Sequence, residues 1–204
     1  LLDVAAKLAS DTIAVGQITT ARFIVQCVLM APVVWLIGLP FQVARKQWLA
    51  MLLRATFLLT STFCFIAAIR VMPLADALAI VFVAPFIVLL VGKFYLKEEV
   101  GPRRVGAAAV GFVGVLLVIQ PSFSAFGAVA LFPVATAFGF ACYLMVTRSL
   151  SRQMYPITLQ FHTGMFASLL CLPMLVFGQG AGFEFLELVR PTGINWLWLL
   201  GVGF

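Results

Sequence analysis

Six apolar runs, each about as long as a bilayer is thick, follow one another with almost no soluble sequence between them. Helical rise is ~1.5 Å per residue, so roughly 20 apolar residues cross a ~30 Å hydrocarbon layer. The runs cover residues 17–39, 47–69, 72–96, 103–121, 125–147 and 156–178. Helices are the elements that fit. Backbone groups in lipid are satisfied within the segment, and the runs are too uniformly apolar for the alternating strands of a barrel. The composition agrees, with 64% hydrophobic and 10% charged residues, too little polar surface for a water-soluble fold of 204 residues. The expected fold class is all-α, a polytopic membrane helix bundle.

A net charge of +6 would point to nucleic acid in a soluble chain, but in a membrane chain it reports orientation. Three alternate loops carry eight basic residues: Arg45 and Lys46; Lys93, Lys97, Arg103 and Arg104; Arg148 and Arg152. The other side has Arg70 and Arg190, with Lys7 close by, together with Asp11, Asp76, Glu184 and Glu187. The basic loops are therefore expected to be cytoplasmic, in a multi-pass protein of the inner (plasma) membrane. The four cysteines fall in four different runs and form neither a C-x-x-C pair nor a metal-ligand spacing, so they read as small hydrophobes.

The chain opens on LLDVAAKLAS, which reads as the tail of a span, and closes on NWLWLLGVGF, which reads as the start of another. A fragment is the expectation. One constant offset aligns Lys7 with Arg148, Ser10 with Ser151, Leu29 with Leu170 and Pro32 with Pro173. Five spans separate the copies, and an odd number inverts the second copy in the membrane. Inverted repeats of this kind mark secondary transporters with a site near the midplane. A repeat of five spans makes the intact protein a ten-helix one.

No H-E-x-x-H, G-x-S-x-G or G-x-x-x-x-G-K-[ST] is present, and no two carboxylates lie together mid-membrane. The expectation is no enzyme, no metal and no cofactor. An ionisable group inside a span is costly, so each is a functional candidate. Arg54 lies about two turns into its span, with Phe57, Leu58, Ser61 and Phe65 along the same stripe. That face suits a cavity for an amphiphilic or anionic solute; the competing reading is snorkelling of the guanidinium to lipid phosphates. For Arg22, near the end of its span with Gln26 one turn deeper, snorkelling is favoured. Asp3 and Lys7, four apart, are expected to neutralise each other. Thr136, Gly139 and Tyr143 form a second semi-polar stripe, either cavity lining or packing glue. His162 is a proton-coupling candidate set against a satisfied structural histidine. Pro85, near mid-span, removes a donor for the Val81 carbonyl and is the hinge candidate. Ala107 and Gly111 have the small-xxx-small spacing of a tight helix contact, with Gly114 a turn on.

The run ALAIVFVAPFIVLLVGKFYLKEEVGPRRVGAAAVGFVGVLLVIQP resembles the EamA module of the drug/metabolite transporter superfamily. The matching features are Pro85 at mid-span, Glu98 after the apolar run, and Gly106 with Gly114-Val-Leu-Leu in the next span. RVMPLADALAI looks like the family's entry into its fourth span, and ACYLMVTRSL, with Tyr143 and Arg148, like the end of its sixth. Lys97 stands where the family often has glycine. The resemblance implies ten helices in two inverted five-helix repeats around a solute cavity that opens alternately to each side. Residues 1–121 would be the first repeat, its first helix truncated, and 125–204 the start of the second. Relatives move amino acids, small metabolites, vitamins or nucleotide-linked sugars. The expected function is a secondary membrane transporter moving a small organic solute by alternating access, in export or exchange. The alternative is a membrane enzyme or lipid-handling scaffold whose active part lies beyond residue 204. Expected partners are a small-molecule solute and the lipid bilayer, with a homodimer left open and nucleic acid excluded.

Overall fold

The structure, a computed structural model, describes residues 2–38, 43–94, 101–178, 189, 193 and 195–202. Its helices are α1 (Leu2–Ser10), α2 (Val15–Leu36), α3 (Trp48–Val71), α4 (Leu74–Val81), α5 (Ala84–Phe94), α6 (Pro102–Phe126), α7 (Leu131–Leu150), α8 (Pro156–Gly178) and α9 (Asn195–Gly201). Short 3-10 turns cover Arg45–Gln47 and Gly127–Ala130. Five stretches are long and apolar enough to cross a membrane: Val15–Leu36, Arg45–Val71, Leu74–Lys93, Ser124–Leu150 and Pro156–Val176. The 25 residues of α6 match them in length. The chain is an all-α multi-pass bundle. Large apolar side chains such as Val110, Leu117, Phe138 and Leu169 stand exposed on its flanks, as they do on a surface that lipid covers. Lys97, Glu98, Glu184, Glu187 and Arg190, all used in the sequence reading, lie outside the described residues.

Three details differ from the reading of the sequence. The run 72–96 is two helices, broken at Phe82 and Val83, rather than one bent span. Pro85 offers no N–H and its ring crowds the preceding turn, so the break falls before it. The Phe82 N–H closes α4 on the Leu78 carbonyl at 3.0 Å, and the Val83 carbonyl opens α5 by accepting from Phe86 and Ile87. Pro85 then sits in the first turn of α5, where a missing donor is tolerated. The second difference is the end of α6, which continues through Phe126 instead of stopping at Pro121; the chain reverses at Gly127, whose φ of 60° suits a residue without Cβ. The third concerns the glycine-rich span. Only Gly111 faces a close neighbour, the Phe86 ring of α5, while Gly106 and Gly114 face open space.

The helices pack with α3 at the centre. Its most extensive contact is with α7, and that between α2 and α8 comes next. α2 and α8 run antiparallel: Cys27 lies against Gly164, while Gly16 and Thr20 share a small recess with Leu175 and Cys171. The Gln47 amide donates to the Gln153 side chain at 3.0 Å, which ties the α2–α3 and α7–α8 connections together at one end of the bundle. Arg45, Lys46, Arg148 and Arg152 belong to this basic end. At the opposite end the Lys7 ammonium donates to the Ile69 carbonyl of α3, not to Asp3 as the spacing predicts. A carbonyl in the last turn of a helix has no intrahelical donor to satisfy it, which makes it a strong acceptor for a cation.

Beside a small cluster of Val83, Ala84, Val115 and Ala137, two large apolar clusters fill the interior. One, at the opposite end, gathers α1, the start of α2, Phe65 to Ile69 of α3, α4 and α9. The other, toward the basic end, holds Phe23, Met51, Ala55, Leu58, Leu150, Leu159 and Phe166. Between α3 and α7 the approach is set by Gly139, where an added Cβ would lie 3.3 Å from the Phe57 carbonyl oxygen and from Ser61 Cβ. Gly139→Leu is expected to force these helices apart and destabilise the protein by about 1–3 kcal/mol, as overpacking does. Gly114→Leu, in open space, should leave the melting temperature of the detergent-purified protein unchanged; equal behaviour of the two variants would contradict this packing.

Candidate functional site

Between the two apolar clusters lies a cavity of about 190 Å³ lined by Asp3, Arg22, Leu58, Ser61, Thr62, Phe65, Leu78, Val81, Thr136 and Phe140. These residues come from α1, α2, α3, α4 and α7, so five helices wall an open cleft. Its polar groups are one guanidinium, one carboxylate and three hydroxyls; its walls include two phenyl rings. Such a mixture offers hydrogen bonds of both senses and apolar faces for a ring, the pattern of a small-solute site.

Arg22 is turned inwards rather than snorkelling. Its Nη1 donates to Thr62 Oγ1 at 3.2 Å, and its guanidinium carbon lies 5.8 Å from the centre of the Phe23 ring. Ser61 and Thr136 do double service. The Ser61 hydroxyl donates to the Thr136 carbonyl at 3.0 Å. The Thr136 hydroxyl reaches the Ser61 carbonyl at 3.3 Å and that of Phe132 at 2.9 Å. The same pair that lines the cavity therefore fastens α3 to α7.

A second polar layer lies about one turn nearer the basic end. Arg54 is 2% exposed, so it does not reach lipid phosphates. Its Nε donates to Thr147 Oγ1 at 2.8 Å and its Nη1 to the Leu159 carbonyl at 3.0 Å. Its Nη2 donates to the Tyr143 hydroxyl at 2.8 Å and to Gln160 Oε1 at 3.2 Å. The guanidinium also lies over the Tyr143 ring, 4.6 Å from its centre. Gln26 of α2 extends the layer by donating to the Gln160 carbonyl at 3.3 Å. Tyr143 in turn stacks on Phe140, the cavity wall residue, at 5.6 Å between centroids and 22° between planes.

Of the sequence candidates, Ser61, Phe65 and Thr136 line the cavity together. Arg54 and Tyr143 form the layer beneath it, and Phe57 lies at the α3–α7 contact. His162 is buried elsewhere, beside a groove of about 560 Å³ shared with Arg45, Trp48 and Phe166. Its Nδ1 donates to the Thr158 carbonyl at 2.8 Å. Pro85 belongs to α5, beyond the cavity's lining. Sequence reasoning passed over Asp3, Thr62 and Phe140 as lining residues. Thr62 follows Ser61 directly and Phe140 precedes Tyr143 by one turn, so the signal lay beside the stripes already noted. Replacing Ser61 by Ala should lower stability by about 0.6 kcal/mol, the average worth of an interhelical hydrogen bond in lipid. Reversible unfolding in detergent checks this, and no loss would mean that the Ser61–Thr136 bonds do not fasten the helices.

The family model of the EamA-like transporter family matches residues 1–120. A protein of Rhizobium johnstonii named riboflavin transporter is 34% identical over 87 residues, covering 43% of this chain and 29% of the relative. One of Brucella anthropi with the same name is 31% identical over 88 residues, 43% of this chain and 31% of the relative. A third so named, of Vibrio cholerae, is 27% identical over 136 residues, 64% of this chain and 41% of the relative. The matches thus span well under half the length of these relatives. A crystal structure at 19% identity superposes with a TM-score of 0.70 over the whole of this chain and 73% of the other, a likeness of fold.

Proposed function

Because the chain belongs to the EamA-like transporter family, we propose that it is part of a secondary transporter that moves a small organic solute across the membrane by alternating access, in export or exchange. The observation that carries this reading is the cavity between the two large apolar clusters, where a cation, an anion and three hydroxyls face one space among five helices. Ionisable groups inside a membrane bundle are costly, so where they occur they mark solute pathways. Family membership supports this reading over a membrane enzyme or lipid-handling scaffold.

The solute we infer is a planar aromatic one with a polar rim. Phe65 and Phe140 offer ring faces, Arg22 donates, Asp3 accepts, and Ser61, Thr62 and Thr136 suit hydroxyl groups. Riboflavin, after which the three relatives are named, has this chemistry. At about 190 Å³ the cavity is smaller than the ~300–1,000 Å³ usual for drug-sized ligands. A solute of that size therefore requires the helices to spread, as alternating access does.

In this reading the basic end faces the cytoplasm of the inner (plasma) membrane, supported by the basic loops gathered there. Residues 1–121 form one repeat and 125–204 begin the second. Support comes from the antiparallel α2 and α8, each with a proline inside its later half, Pro32 and Pro173. The break before Pro85 serves as the bend of α4 against α5. The test is flux of radiolabelled riboflavin in proteoliposomes of the full-length transporter. Saturable flux is expected, with Arg22→Ala lowering it by about tenfold or more, as loss of a charge-assisted hydrogen bond of ~1.5–3 kcal/mol would. Absence of flux for riboflavin and for a panel of aromatic zwitterions and polyols would overturn the reading.

A further inference from the structure

We propose that Arg54 is a positioning residue that holds the basic end of the bundle shut beneath the cavity, and that release of its bonds to α7 and α8 opens the cavity toward that end. The inference rests on the transport reading above. Arg54 stands one turn from Leu58, a cavity residue, on the side of the basic end. The Ser61–Thr136 bonds fasten two helices, whereas this one guanidinium fastens three. It reaches Tyr143 and Thr147 on α7 and Leu159 and Gln160 on α8. Planar donors spread in a fork are what such a three-way joint requires, and a lysine ammonium does not reproduce them.

The acceptors are two hydroxyls, a side-chain amide and a backbone carbonyl; none of them is a carboxylate. Neutral acceptors make weaker bonds than an ion pair does, and water entering the layer replaces each of them in kind. The joint is thus closed when dry and releasable when wet. It is also connected to the cavity. Phe140 lines the cavity, stacks on Tyr143, and Tyr143 both receives a hydrogen bond from Arg54 and lies beneath its guanidinium. A solute that displaces Phe140 displaces the ring on which Arg54 rests.

The experiment uses the full-length transporter in proteoliposomes, with every native cysteine, Cys27, Cys64, Cys142 and Cys171 among them, replaced by Ala and one reporter, Val81→Cys, in the cavity wall. A membrane-impermeant maleimide is applied to the basic end or to the opposite end. Tyr143→Phe keeps the ring and removes one acceptor; it should speed labelling from the basic end by about tenfold or more, the effect of losing one hydrogen bond to a charged group. Arg54→Ala should speed it further, and Arg54→Lys should not restore the slow rate. Labelling from the opposite end should not rise. Unchanged basic-end labelling in Tyr143→Phe, or equal acceleration from both ends, would overturn the proposal, whether or not Arg54→Ala folds. Labelling needs no solute, so failure of the riboflavin flux leaves this result to be judged separately.

Discussion

A polar group inside this bundle has only the bundle to bond with, and that constraint organises everything else. Five of the threonines meet it locally. Thr19, Thr20, Thr56, Thr147 and Thr163 each turn the hydroxyl back onto the carbonyl four residues earlier, at 2.6–2.9 Å. Such bonds satisfy the hydroxyl proton within its own helix, and Thr147 still accepts from Arg54 of α3. The longer side chains cannot do this. Lys7, Gln26 and Arg54 cross to other helices and end on carbonyls, hydroxyls and an amide. Local satisfaction gives ordinary spans, and satisfaction at a distance gives the joints of the bundle.

Those joints converge on α3. It takes part in both apolar clusters, supplies Leu58, Ser61, Thr62 and Phe65 to the cavity, and carries Arg54. Its neighbour α7 carries the matching set of Thr136, Phe140, Tyr143 and Thr147, brought close by Gly139. Shape and chemistry are thus specified by the same few turns of two helices. The Ser61 and Thr136 hydroxyls act in both capacities at once.

Much of this was legible in the sequence, because length and apolarity set the spans; Pro85 reads there as a bend within one span, and the full break before it is a finding of the structure. The stripes Arg54–Ser61–Phe65 and Thr136–Gly139–Tyr143 were legible too, since helical spacing fixes which side chains share a face. What spacing does not fix is the partner. Arg54 at a given depth reaches lipid phosphate or a neighbouring helix depending on the rotation of α3, and periodicity is silent on that. Asp3 and Lys7 have the spacing of a pair, but the Ile69 carbonyl, more than sixty residues away in sequence, wins the ammonium. The glycine-rich stretch of α6 promised a long seam, yet only Gly111 meets a ring, because tertiary packing selects one face of a helix that is small on several. The end of α6 was misread at Pro121 since proline marks many boundaries, whereas the reversal here is made by Gly127.

The 24 residues of α3 contain neither glycine nor proline, and the helix runs unbroken through both apolar clusters. Its neighbours α2 and α8 each contain a proline, and α4 and α5 are two short pieces. The central element is therefore the stiff one. A rigid beam resting on a fulcrum near its midpoint swings its two tips in opposite senses, so any tilt that widens one mouth narrows the other. In the alternating-access reading proposed above, mutual exclusion of the two openings comes from the straightness of one rod, with no separate signal passing between two gates.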